Sequence, residues 1–465
     1  MGNKFNIAVI GSGPGGYVAA IRAAQLGLKV ACIEKSELGG ICLNWGCIPT
    51  KSLIKSAEVW RNVRSLDRFG ISCENPQLDF PKVIQRSRQV AERLSKGVEF
   101  LFKKNQITVF NGFGYFKDKN TINVLNSDNA MSSEIVANSI IIATGARTRS
   151  IPGIEIDGQR IISSHEAMIL PEVPKSIVII GAGTIGVEFA YIFQSFGSEV
   201  SIIEMLPQLL PIEDEDISRE LTRSFKKQRI EIFTDTKVEN IVTKESSVEV
   251  LINKNGDKKV LSADHTLIAI GVRANVENIG LEKVGIELDR GWIKVNDNYE
   301  TNVPRVYAIG DVIGNPCLAH VASAEGIHVV EKIAGHNPQP VNYRAIPGCT
   351  YCQPQVASVG LTEKRAAEEG YELKIGKFHF RANGKSLTSG EIDGFVKVIF
   401  DSNTDRLIGA HIIGNEATEL IAELTLAITN KMTFNELKNS IHAHPTLSEA
   451  VMEAIEDAYG KAIHK

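Results

Sequence analysis

The apolar residues of this chain fall into short runs that follow two different periods. Residues 5–10 are almost continuously apolar, as in a strand buried on both faces of a parallel sheet. A glycine-rich turn and an alanine-rich helical stretch at about 16–26 come next, and residues 29–34 form a second strand that ends in Glu34. The order then repeats. Ser176–Ile180 is apolar, a second glycine-rich turn follows, residues 187–196 carry helical spacing, and the strand 199–204 ends in Glu204. Strand–helix–strand units of this kind predict parallel sheets and an α/β class. Near the C-terminus, strands at 375–380, 394–400 and 407–413 lead into an amphipathic helix at 416–430, which predicts a further α/β unit. Proline and glycine at 346–348 mark a plausible boundary ahead of it.

Composition narrows the class. A chain of 465 residues is too long for one ordinary core. With 51 basic and 55 acidic residues the net charge is −4 and no basic block stands out, so nucleic acid is not an expected partner. Apolar runs such as 140–143 and 177–180 are strand-length and far too short to cross a membrane. The first strand starts near Phe5, which leaves no room for a leader peptide and predicts a cytoplasmic protein. Seven cysteines, an odd number, argue against a secreted disulfide framework. In a reducing compartment a disulfide persists only if catalysis regenerates it.

The two glycine turns carry specific chemistry. In Gly11-Ser-Gly-Pro-Gly-Gly16, Gly11 allows the tight turn, Gly13 lets backbone approach a pyrophosphate, and Gly16 lets helix pack on strand. Glu34 suits the ribose hydroxyls, and the helix N-terminus suits the phosphate. Gly181-Ala-Gly-Thr-Ile-Gly186 and Glu204 repeat the pattern at the same spacing. Two such folds imply two dinucleotides, or one fold kept as scaffold. A carboxylate at 204, followed by Met205-Leu206-Pro207-Gln208 without Arg or Lys, favours NAD over its 2′-phosphate.

Between the first unit and the rest stands Gly39-Gly-Ile-Cys-Leu-Asn-Trp-Gly-Cys-Ile-Pro-Thr-Lys51. Cys42 and Cys47 are too far apart in a regular helix for an S–S bond, so an irregular lead-in loop is expected, with Pro49 opening the helix. The amides of that helix would favour a thiolate. Buried small residues or half of a zinc site are the alternatives for such a pair, and no second Cys/His pair at zinc spacing stands beside it.

These segments, together with Ala143-Thr-Gly145, Ala269-Ile-Gly-Val-Arg273, Tyr307-Ala-Ile-Gly-Asp311 and His444-Pro-Thr-Leu-Ser-Glu449, stand in an order that resembles the pyridine nucleotide–disulfide oxidoreductases. The likeness runs over essentially the whole chain. It is greatest to the branch that oxidises dihydrolipoyl groups of 2-oxo acid dehydrogenase or glycine cleavage complexes. The resemblance implies an FAD-binding domain split between 1–147 and 276–345, an NAD-binding domain at 148–275, and a dimerisation domain at 346–465. Gly11, Gly13, Gly16, Glu34, Gly114, Gly145, Asp311 and the turn through Ala319 would hold FAD, with Lys51 near the flavin and paired with Glu188. Gly181, Gly183, Gly186, Glu204, Val238 and Gly271 would hold NAD. Cys42 and Cys47 would form the redox disulfide, with Cys42 the more accessible sulfur. His444 would be the base, oriented by Glu449, and would reach the disulfide of the second subunit of a homodimer. The implied substrate carrier is a lipoyl domain, an H-protein or an E2 core. No metal is expected, and His442 reads as structural. Two departures from relatives are Ala274 in place of proline and the pair Cys349 and Cys352, which reads as core packing on an interface strand.

Overall fold

The computed structural model describes residues 3–314 and 316–465. By contact density the chain divides into two compact units. One holds residues 1–53, 81–149 and 271–341, and the other holds 54–80, 150–270 and 342–465.

In the first unit, strand Asn3–Ile10 lies between the parallel strands Val30–Glu34 and Met131–Ile142. Ile7, Ala8 and Val9 are fully buried, because a strand paired on both edges and covered on both faces has no polar side. Strands Thr108–Asn111 and Val306–Ala308 extend the parallel sheet. Helix Pro14–Gln25 packs on helix Ala319–Ile333 at very close range, since a Cβ on Gly326 would lie 2.8 Å from the Gly15 carbonyl oxygen. An antiparallel meander, Phe113–Asp118 and Thr121–Leu125, continues from the N-terminal half of Met131–Ile142.

The second unit repeats the plan. Its parallel sheet runs Glu231–Phe233, Glu199–Ile203, Ser176–Ile180, His265–Ile268, Ile161–Ile162. A three-stranded antiparallel ribbon spans Lys237–Ala263. A five-stranded antiparallel sheet follows, ordered Gly348–Thr350, Gln355–Gly360, Leu407–Gly414, Phe395–Asp401, Leu373–His379. Helices Ala417–Thr429 and Glu449–Asp457 share one apolar cluster with its strands, including Val396, Val398, Ile412, Leu424 and Val451. Both glycine-turn helices begin earlier than apolar spacing suggests, at Pro14 and Thr184. Gly13 and Gly183 serve as N-caps, and Pro14 takes the first position, where its missing N–H costs nothing.

Candidate active site

The two glycine turns have the same construction. Gly11 and Gly181 sit at φ +99° and +102°, and a Cβ on either would strike the carbonyl of the crossing strand end, Ala143 or Ala269. A Cβ on Gly16 or Gly186 would strike the carbonyl of the first glycine of its own turn. Gly13 and Gly183 are different: a Cβ there meets nothing within 4 Å. Neither helix has a side-chain cap, so its first amides face a concavity that only a missing side chain keeps open. Both acids are buried and tied to the turns. Glu34 Oε2 accepts from Ser12 N at 2.8 Å and Ser12 Oγ at 2.7 Å, and Glu204 Oε2 accepts from Ala182 N at 2.7 Å. The residues therefore fit a dinucleotide in each turn.

The cysteine box docks on the first turn. Gly39 N donates to Ser12 O at 3.0 Å, and a Cβ on Gly40 would lie 2.7 Å from Gly13 Cα. The expected lead-in loop is instead a six-residue helix, Gly40–Trp45, which contains Cys42. Gly46, at φ −147° and ψ −116°, breaks it, and Cys47 opens helix Cys47–Val63. Pro49 is the third residue of that helix, still inside the turn whose amides have no intrahelical partner. The break folds Cys47 back onto Cys42. The Cys42 thiol pKa is pushed up, first by its hydrogen bond with Cys47 and then by burial, while Lys51 pulls the other way. Two sulfurs in hydrogen-bond contact are within reach of a disulfide. Lys51 lies one turn beyond Cys47, on the same helix face. In the single chain Cys47 is exposed and Cys42 half-buried. Cys42 packs beside the core of the first unit, whereas Cys47 is the first residue of its helix.

In the second unit, His444 Nδ1 and Glu449 Oε1 are 2.9 Å apart. Glu449 Oε2 also accepts from Thr446 N at 2.8 Å, so the Thr446 amide first and His444 second hold this carboxyl below its ordinary range. An ionised Glu449 on Nδ1 leaves Nε2 as the working nitrogen. The His444 side chain is 78% exposed, so its unit leaves that nitrogen open to an external group.

The other expected residues are distributed as follows. Gly145 and Gly271 both have positive φ and open space at Cβ, whereas Gly114 points its missing Cβ at Ile33, Ile10 and Ile122, a packing requirement. Ala319 starts its helix, and burial raises the pKa of the Asp311 carboxyl before it. Val238 lies half-buried on strand Lys237–Thr243. Lys51 belongs to the first unit and Glu188 to the second, where Glu188 Oε1 accepts from Tyr351 N at 3.0 Å. Cys352 is fully buried, and Cys349 is partly buried against the C-terminal core. Among the described residues no group of three or more His, Cys, Asp or Glu is placed to hold a metal, and no helix is long and apolar enough to cross a membrane.

Arg86, Arg88 and Ser95 near the site had no sequence signal, and His442 takes the structural part expected of it. Helix Phe80–Lys104 grips the cysteine box through Arg86, Arg88 and Ser95. The His442 side chain is 8% exposed, with Nε2 2.9 Å from Glu423 Oε1, and anchors the segment that carries His444 to helix Ala417–Thr429.

Comparison with known proteins points one way. Residues 5–326 match the family described as pyridine nucleotide-disulphide oxidoreductase, and residues 346–455 match its dimerisation domain. The chain is 49% identical to the dihydrolipoyl dehydrogenase of Zymomonas mobilis, covering 100% of both proteins. It is 45% identical to that of Bacillus subtilis, again covering 100% of both. LpdA from Mycobacterium tuberculosis superposes with a TM-score of 0.91 at 26% identity, covering 98% of this chain and 99% of that one. The HOCl-induced flavoprotein disulfide reductase RclA from Escherichia coli superposes with a TM-score of 0.86 at 28% identity, covering 97% and 99%.

Proposed function

Because the chain belongs to the pyridine nucleotide-disulphide oxidoreductase family, we propose that it oxidises dihydrolipoyl groups and passes the electrons to NAD⁺. It is a flavoenzyme with dihydrolipoyl dehydrogenase activity, and its cofactors are FAD and NAD. The observation that carries this reading is the Cys42–Cys47 contact docked on the first glycine cradle.

Each residue has a part in the reading. Gly11, Gly13, Gly16 and Glu34 bind FAD, and Asp311 contacts its flavin side. Gly181, Gly183, Gly186 and Glu204 bind NAD, the buried Glu204 carboxylate disfavouring a 2′-phosphate. Bound FAD supplies a two-electron relay between the cysteine pair and NAD⁺. The protein works as a homodimer, in which His444 of one subunit serves the cysteine pair of the other. His444 Nε2 takes the proton of one substrate thiol, because thiolate is the attacking species, and Glu449 stabilises the imidazolium. That thiolate attacks Cys42 Sγ, the S–S bond breaks, and Cys47 leaves as thiolate. The second substrate thiol then releases its proton to solvent and attacks the first sulfur as thiolate, closing the lipoyl ring. This expels Cys42, which recovers the first proton from His444 while Cys47 stays a thiolate. The substrate carrier is a lipoyl domain or H-protein of a multienzyme complex in the bacterial cytoplasm, where reducing conditions suit a disulfide made by turnover.

Steady-state turnover tests the reading. Dihydrolipoamide should reduce NAD⁺ fast and NADP⁺ poorly. Cys47→Ser should abolish that turnover while NADH-to-dye transfer persists, and equal loss of both would remove the cysteine assignment.

A further inference from the structure

The box holding the two cysteines is gripped from outside by helix Phe80–Lys104. Ser95 Oγ donates to Leu38 O at 2.8 Å, ahead of Cys42, and Arg86 Nη1 donates to Ser52 Oγ at 2.7 Å, beyond Cys47. The remaining grip falls between the two cysteines. Arg88 Nη1 donates to Asn44 O at 2.6 Å, and its guanidinium lies 4.0 Å from the centroid of the Trp45 ring. Asn44 and Trp45 end the Gly40–Trp45 helix, so the Asn44 carbonyl is one that the helix itself leaves without a partner. The same Asn44 returns two bonds from its side chain, donating to Leu38 O and Gly40 O at 3.0 Å each. One charged, planar side chain thus closes the C-terminal end of the short helix and stacks on its last ring. The next residue is Gly46, where the chain reverses to bring Cys47 onto Cys42.

We propose that Arg88 is a positioning residue for the Cys42–Cys47 pair, holding the Gly46 turn in the conformation in which the two sulfurs bond. This rests on the reading of that pair as the redox centre. A disulfide tolerates only a narrow range of Cα and Cβ separations, so its formation is favoured when the dithiol is already held in that range. Without Arg88 the short helix gains freedom in the dithiol state and loses it again on ring closure. The equilibrium then moves toward dithiol.

The test equilibrates flavin-containing enzyme anaerobically with set ratios of reduced and oxidised dithiothreitol. Acid quenching and alkylation follow, and mass spectrometry counts thiols on the peptide bearing both cysteines. In this exchange the Cys42–Cys47 bond forms as the cyclic reagent disulfide opens to a dithiol, so two electrons and two protons pass to the reagent. Arg88→Met should lower the equilibrium constant for the protein disulfide roughly tenfold, a potential ~30 mV more oxidising. Arg88→Lys keeps a donor for Asn44 O without the planar stack and should recover most of it, leaving a deficit of about threefold. Melting temperature and NADH-to-dye rate should stay at wild-type values in both. An Arg88→Met constant within about twofold of wild type, or one that favours disulfide, overturns the proposal. Should Arg88→Met not fold, Trp45→Leu removes the stacking surface and should show about a threefold fall, with no change again overturning it. A wild-type enzyme that forms no Cys42–Cys47 disulfide at any ratio overturns the redox reading, and this inference with it.

Discussion

Glu213 should make the second unit lose stability as pH rises toward neutrality, and Glu213→Gln should remove that loss. The residue stands just before Asp214, the N-cap of helix Glu215–Lys227. Its Oε2 is shut off from solvent with no hydrogen-bond partner. Burial is the main cause that lifts its pKa from 4.5 to about 7; Ser358 opposes this and the Asp214 charge adds to it. The folded chain therefore binds this proton more tightly than the unfolded chain. Across the window from 4.5 to about 7 the folded state holds more protons, so stability falls with rising pH and the loss is complete above it. At roughly 1.4 kcal/mol per pH unit, the full loss is about 3 kcal/mol. A neutral glutamine avoids it. Paired thermal scans should show Glu213→Gln near wild type at pH 5 and more stable at pH 8.5, by about 6 °C at roughly 2 °C per kcal/mol. A glutamine amide left without an acceptor would lower the variant equally at every pH, so the change in the difference with pH is the diagnostic. A difference that stays flat between pH 5 and 8.5, or shrinks toward high pH, refutes the buried-acid argument.

Other perturbations separate the parts of the site. Gly13→Val should yield protein without flavin, and Gly183→Val should keep flavin yet weaken NADH binding roughly 100-fold by fluorescence titration, since both positions have negative φ and open Cβ space. His444→Gln should slow the dithiol half-reaction, followed by stopped-flow, by roughly two to four orders of magnitude, with NADH-to-dye transfer unchanged. Lys397 is 2% exposed and holds Asp214, also 2% exposed, at 2.8 Å. Lys397→Met should cost about 3–5 kcal/mol by leaving Asp214 buried and unpaired, and Asp214→Asn in the same chain should restore much of it in a denaturation cycle.

How much was legible depended on the range of the interaction that imposes each residue. The glycine turns were readable because their demands are local: Gly11 needs a positive φ, and Gly16 must clear the carbonyl of Gly11. The terminal acids were readable for the same reason, since Glu34 and Glu204 bind amides of turns fixed by the same strand–helix–strand unit. His444 and Glu449, five residues apart, needed only the start of one helix to meet. The cysteine spacing announced a non-helical junction, yet not its form, because a break at Gly46 and a loop satisfy the same spacing. The partners of that junction were illegible. Arg88 stands far along the chain from Asn44 in an otherwise ordinary charged helix, and nothing in its local pattern separates it from the solvated arginines around it. The same holds for Lys397 with Asp214 and for His442 with Glu423.

By itself, then, the amino-acid sequence determined the α/β class, the two glycine turns, the paired cysteines and the spacing that lets His444 meet Glu449, because backbone conformation and short spacing are set by neighbouring residues. Tertiary structure alone decided that Cys42 packs beside the core of the first unit and that the missing Cβ of Gly114 faces Ile33, Ile10 and Ile122. It also decided which cation closes the short helix that carries Cys42. Burial and long-range hydrogen bonds arise only when separate segments pack, and local pattern carries no record of which segments meet.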